Sequence, residues 1–276
     1  MAGWNVTLLV VALVGRAIAA SSAPDATAPL RFVRDGREVA RLDAAAMAAH
    51  CTPVVVSVDD PYYKARKRFR GCPLREVLLL GFGAAPAADT DIFFRALDGY
   101  TKVSSGARVI EDGGYVAWAD ADRDGGFAPM GRQGTDPGPY YVVWTGAAQS
   151  DPHRYPWPFQ LATIEIADFT RTYPHTIPRT AAPDTPPWTG FAVFKNECIA
   201  CHAINGEGGT VGPDLNVPKS IVEYRPVEQL KAYIRNPAVF RYGNMPAHPD
   251  LTDAQLDGLV AYFDTMRTLK HDPGPR

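Results

Sequence analysis

Apolar and β-branched residues along the first 170 positions fall in short runs separated by turn residues. Val54–Val58 is a β-branched run, and Ile92–Leu97 ends at the turn dipeptide Asp98-Gly99. Tyr115–Trp118 and Tyr140–Trp144 are aromatic and β-branched with glycines beside them, and Leu161–Ile166 alternates. Runs of this length and composition predict strands. Two helical patterns interrupt them, Asp43–Ala49 and Leu74–Leu80, the second directly after Pro73. The mixture predicts an α+β domain, mainly of mixed β structure, over residues 24–169.

Between Thr170 and Pro187 the chain carries Pro174, Pro178, Pro183, Pro186 and Pro187 among Thr, Arg and Ala. Proline at this density removes backbone donors and fixes φ, so residues 170–185 are expected to form a semi-extended linker. Beyond it the period becomes helical. Trp188–Phe194 follows a proline pair suited to a first helical turn. Val227–Ile234 follows Pro226 and must stop before Pro237. The last helix opens with Thr252 and Gln255, a capping box. Its apolar residues Leu256, Leu259, Val260, Phe263 and Met266 recur at helical spacing and define one buried face. Residues 186–270 are expected to form a second, all-α domain.

The N-terminus reads as a targeting segment. Val6–Val14 is a short apolar run, and Ala17-Ile18-Ala19 is an A-x-A-like cleavage site, although no Lys or Arg precedes the run. The run is shorter than the ~20 apolar residues a bilayer requires. Residues 1–20 are therefore expected to be a cleaved signal peptide, leaving a periplasmic mature chain with no integral membrane segment. The length of 276 residues suits two domains, and a net charge of −2 argues against nucleic acid as a partner.

Four cysteines divide into two kinds. Cys51 and Cys72 are isolated, and an oxidising compartment permits them to pair. Cys198-Ile199-Ala200-Cys201-His202 is the attachment sequence for c-type haem. Two thiols three positions apart can each add to one vinyl group on the macrocycle edge, and His202 then faces the iron from the same side. A zinc site would need a second ligand pair nearby, and a thioredoxin-like pair would follow a strand rather than lie among helices. One covalent haem c is expected. Met245, in the loop Tyr242-Gly243-Asn244-Met245-Pro246, comes after the motif and before the terminal helix, which makes it the expected sixth ligand. Met266 belongs to the apolar stripe and is assigned to the core. With His202 and Met245 both on the iron, no coordination position stays open, and the expected activity is electron transfer.

These residues resemble class I cytochromes c over about Asp184 to Lys270. The resemblance implies that Gly212-Pro213-Asp214-Leu215 is the loop in which the Pro213 carbonyl accepts the other ring N–H of His202. It further implies that Gly190 and Phe194 on the first helix cross Leu259, Tyr262 and Phe263 on the last. A glycine inside a helix costs about 1 kcal/mol, so close backbone approach at that crossing would explain Gly190.

In the N-terminal domain, Asp59-Asp60-Pro61-Tyr62-Tyr63, Arg70-Gly71-Cys72-Pro73-Leu74 and Ala96-Leu97-Asp98-Gly99-Tyr100 resemble the generic layout of the molybdopterin-binding domain of the sulfite oxidase superfamily. The polar segment carrying that superfamily's molybdenum-ligating cysteine has no counterpart here. A cofactor-free domain that docks a redox partner, a dehydrogenase or an oxidase, is expected. The alternative is a molybdenum-dependent subunit oxidising a small substrate such as sulfite. Lys64–Arg70, with five bases in seven residues, reads as a solvated loop or a docking patch. Asp120, Asp122 and Asp124 before Gly125 begin a calcium-loop pattern, but Gly131 stands where the bidentate Glu belongs, so bound Ca²⁺ is not expected. Trp118, Trp144, Trp157, Tyr140 and Tyr141 read as core aromatics. His153 and His175 carry no assignment.

Overall fold

The computed structural model describes residues 28–131 and 133–274. The expected signal segment, residues 1–20, lies outside the described residues. Strands β1 (Leu30–Arg34) and β2 (Arg37–Leu42) form a hairpin across Asp35-Gly36, both at positive φ, as a tight primed turn requires. Helix α1 (Ala44–His50) is capped by the Asp43 carboxylate, which accepts from Ala46 N at 2.7 Å. Then follow β3 (Val54–Asp60), β4 (Ala65–Pro73), α2 (Leu74–Phe82), β5 (Asp91–Ala96), β6 (Thr101–Ser105), α3 (Gly106–Val109), β7 (Gly114–Asp120), β8 (Tyr141–Trp144) and β9 (Leu161–Ile166).

The strands build two sheets. One has the order β2-β1-β9-β5-β6, with β1 and β9 parallel and its other pairs antiparallel; the second is antiparallel, in the order β3-β4-β7-β8. Inward residues of both sheets and α2 share one core, which includes Phe32, Phe69, Leu78, Phe94, Tyr140, Tyr141, Trp144 and Trp157. The aromatics read as core from the sequence are fully buried except Trp118, which is half-buried.

The basic run is a strand rather than a loop. Within β4, Lys67 Nζ lies 2.5 Å from Asp120 Oδ2 and Arg68 lies 2.8 Å from Asp122, while Arg70 donates to the Ala121 carbonyl at 3.1 Å. The same pairs account for Asp120 and Asp122, whose carboxylates serve the neighbouring strand. Charge on β4 is thus tied down across the sheet.

Cys51, at the end of α1, and Cys72, in β4, form a disulfide with Cα atoms 6.1 Å apart. The bridge closes a loop with a sequence separation of 21. Replacing both cysteines by alanine is expected to cost about 3 kcal/mol of unfolding free energy, chiefly by freeing the unfolded chain. Chemical denaturation of the variant would measure this, and an unchanged midpoint would contradict it.

The proline-rich segment departs from the expected semi-extended linker. It begins in helix α4 (Phe169–Thr172), continues through a 3₁₀ turn at Pro174–Thr176, and buries Tyr173, Thr176 and Pro178. Proline at the first position of the 3₁₀ turn fits because that position needs no donor. Phe169 and Tyr173 join Phe93 in the second core, together with Val193, Phe194, Leu256, Leu259, Tyr262 and Phe263 from further along the chain. Tyr262 Oη donates to the Thr176 carbonyl at 2.6 Å.

The C-terminal region comprises α5 (Pro186–Val193), a short ribbon of β10 (Ala203–Ile204) and β11 (Glu207–Gly208), α6 (Val227–Arg235) and α7 (Asp253–Arg267). It is helical apart from that ribbon. Thr252 and Gln255 close the predicted capping box on α7, whose buried face is Leu256, Gly258, Leu259, Tyr262, Phe263 and Met266, with Val260 at its margin. Helix α5 crosses α7 at Gly190. A Cβ there would run into the Gly258 carbonyl and stand 2.7 Å from Tyr262 Cβ, so only hydrogen fits. Among the described residues no helix is long and apolar enough to cross a membrane.

Candidate haem site

Helix α5 does not stop at Val193. It widens into a π turn over Phe194–Cys198, in which Ile199 N donates to Phe194 O at 2.9 Å. Such widened turns occur often at functional sites, where an inserted residue re-aims side chains. This one delivers Cys198, after which Cys201 N and His202 N both donate back to Cys198 O, at 3.1 and 2.9 Å. The motif is therefore a single compact turn with two free thiols on it. Burial, with Glu197 beside it, pushes the Cys198 thiol up to about 12; burial pushes Cys201 to about 11.

His202 is oriented by one bond. Its Nδ1–H donates to the Pro213 carbonyl at 2.9 Å. A carbonyl only accepts, so Nδ1 carries the proton and Nε2 keeps its lone pair. Burial holds His202 below the ordinary imidazole range, against the opposing pull of that hydrogen bond. The loop bearing Pro213 is fixed by Asp214, whose carboxylate accepts from the backbone N–H of Gly206, Asn216 and Val217 at 2.7–2.9 Å. Gly212 lies against the imidazole so closely that a Cβ would stand 2.7 Å from Nδ1. Met245 is half-buried and packs on the second core from a loop whose neighbours Tyr242, Gly243, Asn244 and Pro246 are exposed.

These observations fit a c-type haem: paired free thiols on one turn, and an imidazole locked in the metal-binding tautomer. They fit molybdenum in the first region poorly. Cys51 and Cys72 are the cysteines there, and both are consumed by the disulfide, so neither offers a thiolate.

The N-terminal region grips the attachment turn directly. β6 is the edge of its sheet, and the outward N–H of Thr101 donates to Ala200 O at 2.8 Å, inside the motif. Thr210 N donates to Gly99 O at 3.0 Å, and the buried Lys102 ammonium donates to Asn196 O at 2.8 Å. An edge strand needs its open hydrogen bonds covered, and here the haem-attachment backbone supplies the cover. Asp98-Gly99-Tyr100, legible only as a turn, leads into this contact. Lys195 pairs with Asp91 at 3.3 Å, and Glu197 accepts from His153 Nδ1 at 2.8 Å. Sequence reasoning missed Thr101, Lys102 and His153 because nothing local marks them.

Residues 189–267 match the family model of cytochrome c. Over those residues the C-terminal region is similar to cytochrome c. Over 89 residues the chain is 35% identical to cytochrome c oxidase subunit 2 of Alkalihalophilus pseudofirmus, covering 29% of this chain and 26% of that protein. Over 115 residues it is 33% identical to lupanine 17-hydroxylase (cytochrome c) of a Pseudomonas species, covering 34% of this chain and 16% of the relative. The matched part thus spans about a quarter or less of each relative. The family match begins after the proline-rich segment and encloses the Cys-x-x-Cys-His turn, the Pro213 loop, Met245 and the α5–α7 crossing of the cytochrome c domain.

Proposed function

We propose that the chain is an exported monohaem c-type cytochrome that passes single electrons between redox partner proteins, with its N-terminal region serving as a docking module. The observation that carries this reading is the Nδ1–H bond from His202 to Pro213, beside two free thiols, within the cytochrome c match. Cys198 and Cys201 would hold the haem by thioether bonds, and His202 Nε2 and the Met245 sulfur would ligate its iron. Bound haem supplies a reversible one-electron iron couple. The remaining work belongs to the chain. Pro213 keeps His202 in the ligating tautomer, the apolar residues of the second core exclude water, and with His202 and Met245 both bound no site would be left for a substrate.

The disulfide supports export, since both it and thioether attachment suit an oxidising compartment outside the cytoplasm. Docking is assigned to the N-terminal region because that region already covers one side of the attachment turn, through Thr101, Lys102 and His153. A partner approaches the sides left open, and a dehydrogenase or an oxidase fits a carrier of this kind.

The test is elemental analysis and denatured mass of protein from a periplasm competent in both haem and molybdenum cofactor maturation. One iron per chain, no molybdenum, and a mass raised by one haem are expected. The Cys198→Ser/Cys201→Ser variant should lose the added mass. Haem that separates on denaturation, or stoichiometric molybdenum, would overturn the proposal.

A further inference from the structure

Three side chains distant in sequence converge where the N-terminal region meets the cytochrome c domain. His153 comes from the loop before β9, Glu197 from the π turn beside Cys198, and His248 from the loop between Met245 and α7. One ligand atom from each lies within 4.8 Å of the others. Glu197 Oε2 is 2.8 Å from His153 Nδ1 and 3.8 Å from His248 Nδ1, and the two imidazole rings meet edge-on at 5.0 Å. We propose that His153, Glu197 and His248 form a binding site for a divalent transition-metal cation of the zinc class, which staples the two regions together beside the haem-attachment turn.

The chemistry of the donors selects the cation. Two imidazoles and one carboxylate suit zinc and its first-row neighbours and disfavour calcium or magnesium, which take oxygen donors. At metal–ligand distances of about 2.0–2.2 Å, tetrahedral donors stand roughly 3.3–3.6 Å apart, so the observed separations need only sub-ångström to ångström adjustments. Each backbone is already tethered. His153 N donates to Asp151 Oδ1 at 2.9 Å, and His248 N donates to Ile234 O at 3.1 Å. His248 is 7% exposed, whereas His153 is open to solvent, which gives the cation an entry path and a place for a water as fourth ligand.

The alternative occupant of this space is the Lys102 ammonium. It is turned to the Asn196 carbonyl at 2.8 Å and the His153 carbonyl at 3.5 Å, and among the described residues the ion-pair partners of Glu197 are the two imidazoles. Its charge weakens cation binding without taking the carboxylate. A second pair, His175 and His271, stacks face to face at 3.8 Å, an arrangement that aims ring faces rather than nitrogens at each other and serves as the control.

Equilibrium dialysis of the tag-free, haem-loaded full chain against Zn²⁺ tests the site. One zinc per chain is expected in the wild type and in His175→Ala/His271→Ala. His153→Ala/His248→Ala should bind more than about tenfold more weakly, as should Glu197→Gln, which keeps the size of the side chain and removes only its charge. The haem spectrum reports folding in each variant, and X-ray absorption at the zinc edge should show two imidazole ligands. Wild-type affinity in both the Glu197→Gln and His153→Ala/His248→Ala proteins, or loss of zinc only with His175 and His271, would refute the site.

Discussion

Alanine at position 245 is expected to leave the haem covalently attached while lowering its reduction potential and opening the iron to external ligands. Under the proposed assignment attachment rests on Cys198 and Cys201, and His202 stays anchored to Pro213, so both would be untouched. The substitution would remove a soft thioether that favours ferrous iron, which would shift the couple towards the oxidised state. Ligand identity spans about 0.8 V across haem proteins, so replacing a ligand has large leverage on the potential. Met245 comes from a loop with exposed neighbours on both sides, and its replacement therefore disturbs little of the fold. Optical titration with imidazole or cyanide, alongside potentiometry, reads both effects. A wild-type spectrum and potential in the variant would remove Met245 from the coordination sphere.

Gly190→Ala is expected to destabilise the C-terminal region by about 2 kcal/mol. Two effects oppose each other. Alanine in a helix interior gains up to about 1 kcal/mol over glycine. Overpacking costs about 1–3 kcal/mol and sometimes more, and here the obstructing atoms are the Gly258 backbone and Tyr262 Cβ, none of which can rotate away. The clash wins. Gly258→Ala provides the calibration, because a Cβ there would meet its nearest atoms at 3.0–3.3 Å, a contact that small shifts relieve. Guanidinium unfolding followed by the haem absorption should rank the chains wild type, then Gly258→Ala, then Gly190→Ala. Equal midpoints for Gly190→Ala and the wild type would mean the helices cross less tightly than the structure has them.

Features whose causes are local or covalent were legible in the sequence. Thr252 and Gln255 marked the start of α7 because a capping box acts over four residues, and Leu161–Ile166 gave the bounds of β9 as a short, mostly apolar run with β-branched residues. The Cys-x-x-Cys-His turn was legible because the motif constrains its own geometry, whereas the Pro213 carbonyl was expected only from the resemblance to class I cytochromes c. β4 was not. Its bases look like a solvated loop until the carboxylates of Asp120, at the end of the adjoining strand, and Asp122, in the turn after it, appear some 50 positions away. The proline-rich segment misled for a related reason. Proline density predicts extension, but Phe169, Tyr173 and Thr176 are drawn inward by a core whose other half lies in α5 and α7. Contacts of this reach also hid Thr101, Lys102 and His153, which acquire meaning only against the attachment turn.

The Thr101–Ala200 bond constrains the order in which this protein is made. If the chain is exported as proposed, its N-terminal residues cross first, and β6 belongs to a sheet completed by β9, at residue 166, upstream of the cysteines at 198 and 201. Once the attachment turn settles on β6, its backbone is bonded and its two thiols are half-buried. If Cys198 and Cys201 take the haem as proposed, docking narrows the access of a ligation enzyme to them, so attachment is favoured before docking. The completed sheet edge then acts as a receiver for the attachment turn.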